Sequence, residues 1–342
     1  MIERAEILSL LDAWGFTPEM VGGIHPVLDV FRIETAVGPM SLKWSRRSGD
    51  RLLSVARGLE YVSENGFRSC RLPLPTKSGA PFLAQGGRHY LLFEWIEGER
   101  IDFSCPEQLA ASCRTLAHFH LCGRGFDSSG GSFARLVRSL ARRHRELQSF
   151  AGRAGRSEAG SGFERELGRA LGYYLELAAF GRRLLAGIEP EAGATGESGL
   201  CHGDVAARNL ILSPGGEVFL IDFDAMRPDL PLLDLWKLFR RAMTGLGWEA
   251  EAGLRIIDSY ETVAPLRPGE LAVLLALLAF PQKLWRLARR FYRGRHEGEE
   301  EKYTRKLRRF TSQSHAHASF LREFARLCRA RGLAVEWPPL PS

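Results

Sequence analysis

Short apolar runs mark the first hundred residues as the β-rich part of the chain. Residues 31–35 and 40–44 form two such runs with glycine and proline between them, and residues 90–98 form a third that runs into a polar, glycine-ended link. Glycine and proline between apolar runs are typical of turns that join antiparallel strands. Helical spacing covers residues 50–64 and, before the strands, residues 1–16. The pattern predicts a small antiparallel sheet accompanied by helices.

The rest of the chain has mainly the apolar spacing of helices. Helices are predicted at residues 106–122, 133–149, 163–188, 232–246, 248–263, 268–292 and 298–331, with Ser104 as the N-cap of the first. A Gly/Ala/Ser/Arg-rich linker is expected at residues 151–162 and a loop at residues 189–198. The longest apolar run, residues 271–280, stops at Pro281 and is too short to span a bilayer, so we expect a buried helix.

One β-hairpin interrupts the helical part. Residues 210–212 and 218–221 are apolar, and Ser213-Pro214-Gly215-Gly216 lies between them. A tight turn folds the second strand back on the first, so Asn209 and Asp222 should emerge at the same end. Oxygen-bearing side chains placed together in this way suit Mg²⁺, whose other ligands are usually water and phosphate oxygens.

The segment around this hairpin, residues 200–224, carries the clearest chemical signal. It contains His202-x-Asp204, then Asn209 after four further residues, and then Asp222-Phe223-Asp224. This spacing is the one needed to hold a nucleotide triphosphate, its metal ions and an attacking hydroxyl together. Asp204 could accept the proton of that hydroxyl, whereas His202 is expected to hydrogen-bond backbone near the loop. A surface hairpin with solvated acids is the alternative, but the joint match favours phosphoryl transfer.

A kinase-like interpretation requires further residues, upstream of the segment at 200–224, that contact the nucleotide. Lys43, in the second predicted strand, could hold the α- and β-phosphates, and the backbone of the link at Glu94 and Ile96 could hydrogen-bond adenine. Taken singly, these features also suit a solvated lysine and an ordinary core strand. Two expected parts are poor: residues 22–27 contain no G-x-G-x-x-G, and Glu60, the nearest helix glutamate to pair with Lys43, lies late in its helix.

These segments resemble the aminoglycoside phosphotransferase and choline kinase branch of the protein-kinase-like fold. Within that branch the chain is most similar to the spore coat protein S family of endospore-forming bacteria, over about residues 25 to 320. The matching segments are residues 41–43, 66–67, 71–73, 93–98, 116–120, 125–126, 202–209, 221–224, 229–231 and 234–235. The segments at residues 202–209 and 222–224 are typical of the whole superfamily, and the link at 94–98, the helix segment at 116–120 and the run at 222–235 indicate the narrower family.

The resemblance implies an α+β, two-lobed, protein-kinase-like fold. A small, mainly antiparallel N-lobe would span residues 1–95, and a larger, mostly helical C-lobe would span residues 96–342 with the catalytic loop at 200–224. ATP and Mg²⁺ are the implied cofactors. The implied roles are catalytic base for Asp204, phosphate contact for Lys43, metal ligands for Asn209, Asp222 and Asp224, and bracing of the catalytic loop for Asp234.

Composition agrees with a soluble protein. The 342 residues are 45% hydrophobic and 25% charged. The N-terminus lacks the basic start and apolar core of a signal peptide, and the six cysteines show no metal-site spacing, which favours reduced thiols in the cytosol. We therefore expect a cytoplasmic protein without a membrane partner. The resemblance implies the mother cell as its location and the spore coat as a place of deposition.

The uneven distribution of charge bears on the substrate. The chain has 47 Lys and Arg against 40 Asp and Glu, and residues 281–310 alone hold eleven basic and four acidic residues, which accounts for the whole excess. Arg286, Arg289, Arg290 and Arg293 share one helix face. Such a face argues against a polycationic aminoglycoside and suits an anionic acceptor or an acidic partner surface; a solvated face is an equal alternative. No nucleic-acid-reading module is visible.

Three functions are compatible with these patterns. The leading one is an ATP- and Mg²⁺-dependent phosphotransferase that acts on a hydroxyl group and is associated with the spore coat. The second is a non-catalytic component with a kinase fold that binds other spore coat proteins. The third is a cytosolic metabolic kinase for a sugar, an amino alcohol or a homoserine-like substrate.

Overall fold

The structure is a computed structural model and describes residues 3–126, 133–154, 161–188, 198–294 and 299–338. Its N-terminal part is built on a five-stranded antiparallel sheet with the strand order β1-β2-β3-β5-β4. The strands are β1 Val21–Val27, β2 Val30–Thr35, β3 Gly38–Ser45, β4 Leu83–Gln85 and β5 Arg88–Glu94. The accompanying helices are α1 Arg4–Leu11 and α2 Gly49–Glu64.

The two helices belong to different hydrophobic cores. Ile7, Leu10 and Leu11 of α1 are buried in a small core with the apolar face of the sheet. The buried side of α2 instead joins the large core of the helical part through Val55 and Leu59. Because α2 is anchored in the large core while following β3 directly in the chain, it connects the sheet to the helices.

The C-terminal part consists mainly of helices. They are α3 Pro106–Cys122, α4 Phe133–Ala154, α5 Gly162–Ala186, α6 Leu232–Gly245, α7 Ala250–Glu261, α8 Pro268–Ala279, α9 Gln282–Arg293, α10 Glu300–Thr311 and α11 Ser314–Ala330. Helix α8 is buried on every side from Leu271 onward, and α5, α6 and α11 pack around it. A helix that is apolar all round needs such a central position, because no face of it can meet water favourably.

Two short sheets contain the strands between α5 and α6, and one of them also includes a strand that precedes α3. In one, β6 Glu99–Arg100 pairs with β8 Leu210–Leu212, which pairs in turn with β9 Val218–Leu220. In the other, β7 Gly199–Cys201 pairs with β10 Arg227–Asp229. All of these pairings are antiparallel. The predicted hairpin is therefore confirmed, with its turn at the predicted proline and glycines.

The predicted fold class is confirmed: a small antiparallel sheet lobe precedes a larger helical lobe. The predicted strands at residues 31–35 and 40–44 lie within β2 and β3, and the helix at residues 106–122 has the predicted bounds. The division between residues 95 and 96 stays a prediction.

Two of the predicted long helices were wrong, since each is a pair of helices. Residues 268–292 divide at Phe280, which has the extended angles φ −67° and ψ 123°. Proline at the next position disfavours helical angles in the residue before it. Residues 298–331 divide at Ser312 and Gln313, where the Gln313 side-chain amide donates to the Thr244 carbonyl at 3.1 Å.

Two boundary predictions were also wrong. Ser104 does not cap α3: its hydroxyl donates to the Asp102 carboxylate at 2.6 Å, and Cys105 holds the N-cap position without a side-chain cap. The predicted linker at residues 151–162 is shorter, because α4 continues to Ala154 and α5 begins at Gly162 behind a Ser161–Glu164 capping box. Residues 155–160, and residues 189–197 of the predicted loop, lie outside the described residues.

Within the described ranges, no single helix is both long and apolar enough to cross a membrane. Helices α8 and α9 reach that length and apolarity only when taken together, and they are bent by 41° at their junction.

Two glycines of α5 offer a matched test of the packing between α5 and α8. A Cβ on Gly181 would lie 2.7 Å from the backbone oxygen of Ala276, whereas a Cβ on Gly172 would meet nothing within 4 Å. We expect Gly181→Ala to lower the free energy of unfolding by about 2 kcal/mol through this clash. Gly172→Ala should raise it by about 0.5–1 kcal/mol through higher helix propensity. Urea denaturation checks both, and equal effects of the two variants would contradict the packing described.

Candidate active site

The loop between β7 and β8 is shaped by a glycine and a buried histidine. Gly203 has φ +86°, and a Cβ at this position would collide with the Ala225 carbonyl. His202 is completely buried, with Nε2 2.9 Å from the Ile221 carbonyl and Nδ1 accepting from the Asp204 N–H at 3.3 Å. Nε2 therefore carries the proton of a neutral imidazole, and burial lowers the pKa of His202. The predicted structural role of His202 is confirmed.

Asp234 of α6 fixes this loop from beneath. Its two carboxylate oxygens, fully buried, accept from the Gly203 N–H at 3.1 and 3.2 Å, and Lys237 donates to the same carboxylate at 3.0 Å and to the Gly203 carbonyl at 2.9 Å. Nε2 of His120 lies 3.6 Å away. Burial by itself would raise the pKa of Asp234, but His120 and Lys237 outweigh it and hold that pKa well below its usual range. The predicted bracing role is confirmed.

Asp204, the predicted catalytic base, is surrounded by donors. Arg241 of α6 donates to Oδ1 at 2.5 Å, and Oδ2 accepts from Arg208 and, at 3.2 Å, from the Asn209 amide. Partial burial opposes ionisation, but hydrogen bonding and charge from Arg241, together with the charge of Arg208, outweigh it and lower the pKa of Asp204. The side chain is therefore ionised and held in one orientation.

The hairpin brings the predicted metal-binding residues to one end. The Ile221 N–H donates to the Asn209 carbonyl at 3.0 Å, so Asn209 and Asp222 stand side by side at the open end of β8 and β9. Asp222 has the left-handed angles φ 64° and ψ 64°. This conformation is uncommon for a residue other than glycine and is found preferentially at functional sites.

Lys43 joins the two lobes at this point. From β3 its Nζ lies 2.6 Å from Asp222 Oδ1 and 2.7 Å from Asp224 Oδ1. Burial would lower the pKa of Lys43, but the charges of Asp222 and Asp224 and their hydrogen bonds raise it, so the ammonium is retained. The structure thus gathers Lys43, Asn209, Asp222 and Asp224 where the sheet meets the helical part.

The donor chemistry of this group fits Mg²⁺. Each of Asp222 and Asp224 offers a second carboxylate oxygen beyond the one bonded to Lys43, and the Asn209 amide turns its nitrogen toward Asp204, which leaves its oxygen available. In the described part of the chain no three His, Cys, Asp or Glu side chains form a metal cluster. Two carboxylates and an amide suit Mg²⁺ best where phosphate oxygens complete the coordination.

The link after β5 has backbone N–H and C=O groups with which adenine could form hydrogen bonds. The Trp95 N–H donates to the Pro39 carbonyl at 2.9 Å, and the Glu94 side chain points outward to Arg71 at 3.2 Å. Across the described residues the Ile96 N–H and C=O have no hydrogen-bond partner. These two groups could therefore pair with a planar base, whereas the carboxylate of Glu94 is engaged elsewhere.

Two features that a kinase-like interpretation requires, a glycine-rich loop and a helix glutamate beside Lys43, are not found at the expected places. Residues 22–27 lie within β1 of the β1–β2 hairpin, whose turn carries Leu28 at φ 55° and 74% exposed. Helix α2 does not bring Glu60 to Lys43. It brings Arg51, whose guanidinium donates to the carbonyls of Asp224 and Met226 and so holds the loop after β9.

Comparison with known proteins decides the family. The profile of the phosphotransferase enzyme family matches residues 28–271, more than two thirds of the chain, and this range includes Lys43 and the whole catalytic loop. The chain belongs to this family. Spore coat protein S of Bacillus subtilis is 24% identical to this phosphotransferase family member over 305 residues, which cover 85% of each protein.

Solved structures of phosphotransferases share the fold of this family member. An aminoglycoside phosphotransferase from Alicyclobacillus acidocaldarius superposes with a TM-score of 0.83 at 22% identity, covering 94% of this chain and 96% of that one. A spectinomycin phosphotransferase in complex with ADP and spectinomycin has a TM-score of 0.61 at 12% identity, with coverages of 92% and 98%. At such identities the likeness concerns the fold alone.

Three arginines of the site were missed by sequence reasoning. Arg208 had a usable signal, because it lies four residues after Asp204 within the same motif. Arg241 and Arg51 had none, since they reach the site from α6 and α2 through tertiary packing. The sequence also did not foresee that Lys43 would pair with Asp222 and Asp224 rather than with a helix glutamate.

The buried carboxylate of Asp234 can be tested by its pH dependence. Asp234→Asn removes the partner of the Lys237 ammonium, and we expect it to lower the free energy of unfolding by about 3 kcal/mol at neutral pH. The folded-state pKa of Asp234 lies below the ordinary 3.8, so its stabilisation is present above pH 3.8 and is lost as the pH falls further. The difference between wild type and variant should therefore shrink below that pH in urea titrations.

Asp258→Asn is the control, because Asp258 is exposed on α7. It should change the free energy of unfolding by less than about 0.5 kcal/mol. An Asp234→Asn effect no larger than this one would contradict the bracing role.

Proposed function

We propose that this chain is an ATP- and Mg²⁺-dependent phosphotransferase that transfers the γ-phosphate to a hydroxyl group. The observation that carries the proposal is the meeting of Lys43 from the sheet lobe with Asp222 and Asp224 from the helical lobe, at 2.6 and 2.7 Å. One cation and two acids at a cleft between lobes suit a metal–triphosphate, which presents both signs of charge to the protein.

In the proposed mechanism Lys43 transfers its hydrogen bonds from the two carboxylates to phosphate oxygens when nucleotide binds. Asn209, Asp222 and Asp224 would then hold Mg²⁺, which neutralises charge on the phosphates. The Ile96 N–H and C=O pair with adenine at the other end of the nucleotide. Positioning of this kind supplies much of the catalysis in phosphoryl transfer.

Asp204 orients the acceptor hydroxyl and takes its proton. The hydroxyl oxygen bonds to the γ-phosphorus, the bond from that phosphorus to the bridging oxygen breaks, and ADP leaves. The pKa of Asp204 is lowered, with Arg241 and Arg208 outweighing its burial, so it is a weak base. This suits a loose transition state, in which the proton moves late and orientation matters more than basicity.

We further propose that the protein acts in the mother-cell cytoplasm and associates with the spore coat. The support is the similarity to spore coat protein S of Bacillus subtilis over 85% of the chain. A non-catalytic coat component is the second candidate, favoured by the β1–β2 hairpin without a glycine-rich loop and by Arg51 where a helix glutamate was expected. A metabolic kinase without a link to spores is the third, and an acceptor screen distinguishes it.

Asp204→Asn tests the reaction itself. We expect phosphoryl transfer or slow ATP hydrolysis to fall by about 10²–10⁴-fold, because the hydroxyl loses its proton acceptor. Nucleotide affinity should stay within about twofold, and Asp258→Asn should behave as wild type. Calorimetry and a coupled ADP assay provide the readouts. A wild-type protein that neither binds Mg·ATP nor hydrolyses it contradicts the proposal, and normal coat assembly with Asp204→Asn would favour the non-catalytic candidate.

Lys43→Met tests the role of the lysine. We expect the dissociation constant of Mg·ATP to rise at least about tenfold, since one charge-assisted hydrogen bond to phosphate is worth about 1.5–3 kcal/mol. Lys77→Met is the matched control, because Lys77 also pairs with an aspartate in the sheet lobe but on the surface, at 2.8 Å from Asp12. Equal nucleotide affinities of the two variants would show that Lys43 has only a structural role.

A further inference from the structure

Four arginines from three helices lie near one another, and one of them contacts Asp204. They are Arg143 of α4, Arg240 and Arg241 of α6, and Arg286 of α9, and together they are called the arginine cluster below. Arg143, Arg240 and Arg241 are half-buried and Arg286 is exposed at the edge. Arg241 connects the cluster to the reaction centre through its 2.5 Å bond to Asp204.

The cluster has more donors than the protein satisfies. Nε of Arg143, Nε of Arg240 and Nε1 of the adjacent Trp236 are buried and have no hydrogen-bond partner among the residues that the structure describes. Asp204 is the one carboxylate within 4 Å of a cluster arginine among the described residues. Buried donors without partners and unpaired charges normally destabilise a fold.

The nearby polar groups do not resolve this imbalance. Arg143 donates to the neutral Gln282 side chain at 2.8 Å. Glu146, whose charge acts on Arg143, already accepts from Trp285 at 2.6 Å and from Arg293 at 3.2 Å. Arg240 lies over the Trp236 ring at 5.6 Å, a contact that leaves its charge unpaired. Within the described residues, Arg241 pairs with Asp204, whereas Arg143, Arg240 and Arg286 have no ion pair with a carboxylate, so positive charge is in local excess.

The pKa values of the cluster arginines also indicate an excess of positive charge. Burial and the charges of neighbouring arginines, Arg286 first among them, lower the pKa of both Arg143 and Arg240 to about 10. The pKa of Arg286 is lowered as well, by burial and by Arg290 and Arg241. A bound anion would reverse these effects, since it would pair the charges and accept from the buried donors.

We propose that the arginine cluster binds the phosphate group of a phosphorylated small molecule whose hydroxyl is the phosphoryl acceptor. This inference rests on the proposed phosphotransferase function and names the class of its substrate. Guanidinium groups that converge from three helices can surround a tetrahedral dianion, whereas a planar carboxylate is satisfied by one bidentate arginine. Because Arg241 belongs to the cluster and also contacts Asp204, a phosphate bound here would leave a nearby hydroxyl within reach of the base.

The cluster is recessed below the surface, which favours a small molecule over a polymer as its ligand. Arg240 also lines a cavity between α6, α9 and α10 together with Gln282, Lys283 and Phe310. A charged group must enter the fold to reach Arg143 and Arg240, and a flat polyanion would contact mainly the exposed Arg286.

Binding of inorganic phosphate is the first test. The wild-type protein without nucleotide is titrated with inorganic phosphate in a calorimeter, and the double variant Arg240→Gln/Arg286→Gln is compared with it. Arg145→Gln/Arg305→Gln is the control of equal net charge, because both arginines are exposed and lie outside the cluster. We expect at least a tenfold loss of phosphate affinity in the cluster variant and less than twofold in the control. No phosphate binding by the wild type, or equal affinities of the two variants, would overturn the proposal.

Turnover with paired acceptors is the second test. Glycerol 3-phosphate is compared with glycerol, and glucose 6-phosphate with glucose, at saturating Mg·ATP. We expect at least one phosphorylated acceptor to have a kcat/KM at least tenfold above its unphosphorylated counterpart, and the cluster variant to lose that preference while its Mg·ATP affinity stays within twofold. An active enzyme that shows no such preference overturns this inference and leaves the proposed function standing. A protein that does not bind Mg·ATP overturns the proposed function instead.

Discussion

The hydrogen bonds from the Gly203 N–H to the buried Asp234 carboxylate are the constraint on which the site depends. Gly203 can turn here because it has no side chain to meet Ala225, and this turn delivers His202 to the core and Asp204 to the cleft. A buried carboxylate with fixed donors tolerates little displacement, since any lost hydrogen bond would leave a charge unpaired in the interior. The catalytic loop is therefore positioned by the packing of α6 rather than by its own local preferences.

The same helix also sets the electrostatics of the site. Asp234 and Arg241 lie seven residues apart on α6, and they contact Gly203 and Asp204 in succession. Lys43, which comes from the sheet lobe, balances Asp222 and Asp224. The acids of the site thus have different partners: Asp204 pairs with arginines, whereas Asp222 and Asp224 pair with one lysine. This division suits the roles proposed for Asp204 as a base and for Lys43 in nucleotide binding.

Local sequence patterns predicted most of this arrangement. They failed for the residues whose positions are set by tertiary contacts. The hairpin from Leu210 to Leu220 and the proximity of Asn209 and Asp222 follow from a turn sequence and a strand period, both of which are local. The break at Phe280 was also readable, because Pro281 stands next to it, yet the apolar period on both sides concealed it. The contacts of Arg51 and Arg241 could not be predicted, since they join residues far apart in the chain whose helix orientations no short pattern encodes.

The basic face of α9 shows how three-dimensional structure changes the meaning of a charge pattern. In the sequence, Arg286, Arg289, Arg290 and Arg293 are equivalent members of one stripe. In the fold, Arg293 pairs with Glu146 and so stabilises the contact between α9 and α4. Arg289 lies over the ring of Trp285, on its own helix, at 5.3 Å. The charge of Arg286 lowers the pKa of Arg143 and of Arg240 on the other helices, and Arg289 adds to the effect on Arg143. The charge that bears on the acceptor is thus assembled by tertiary packing beside Asp204, and the excess of positive residues in α9 supplies one part of it.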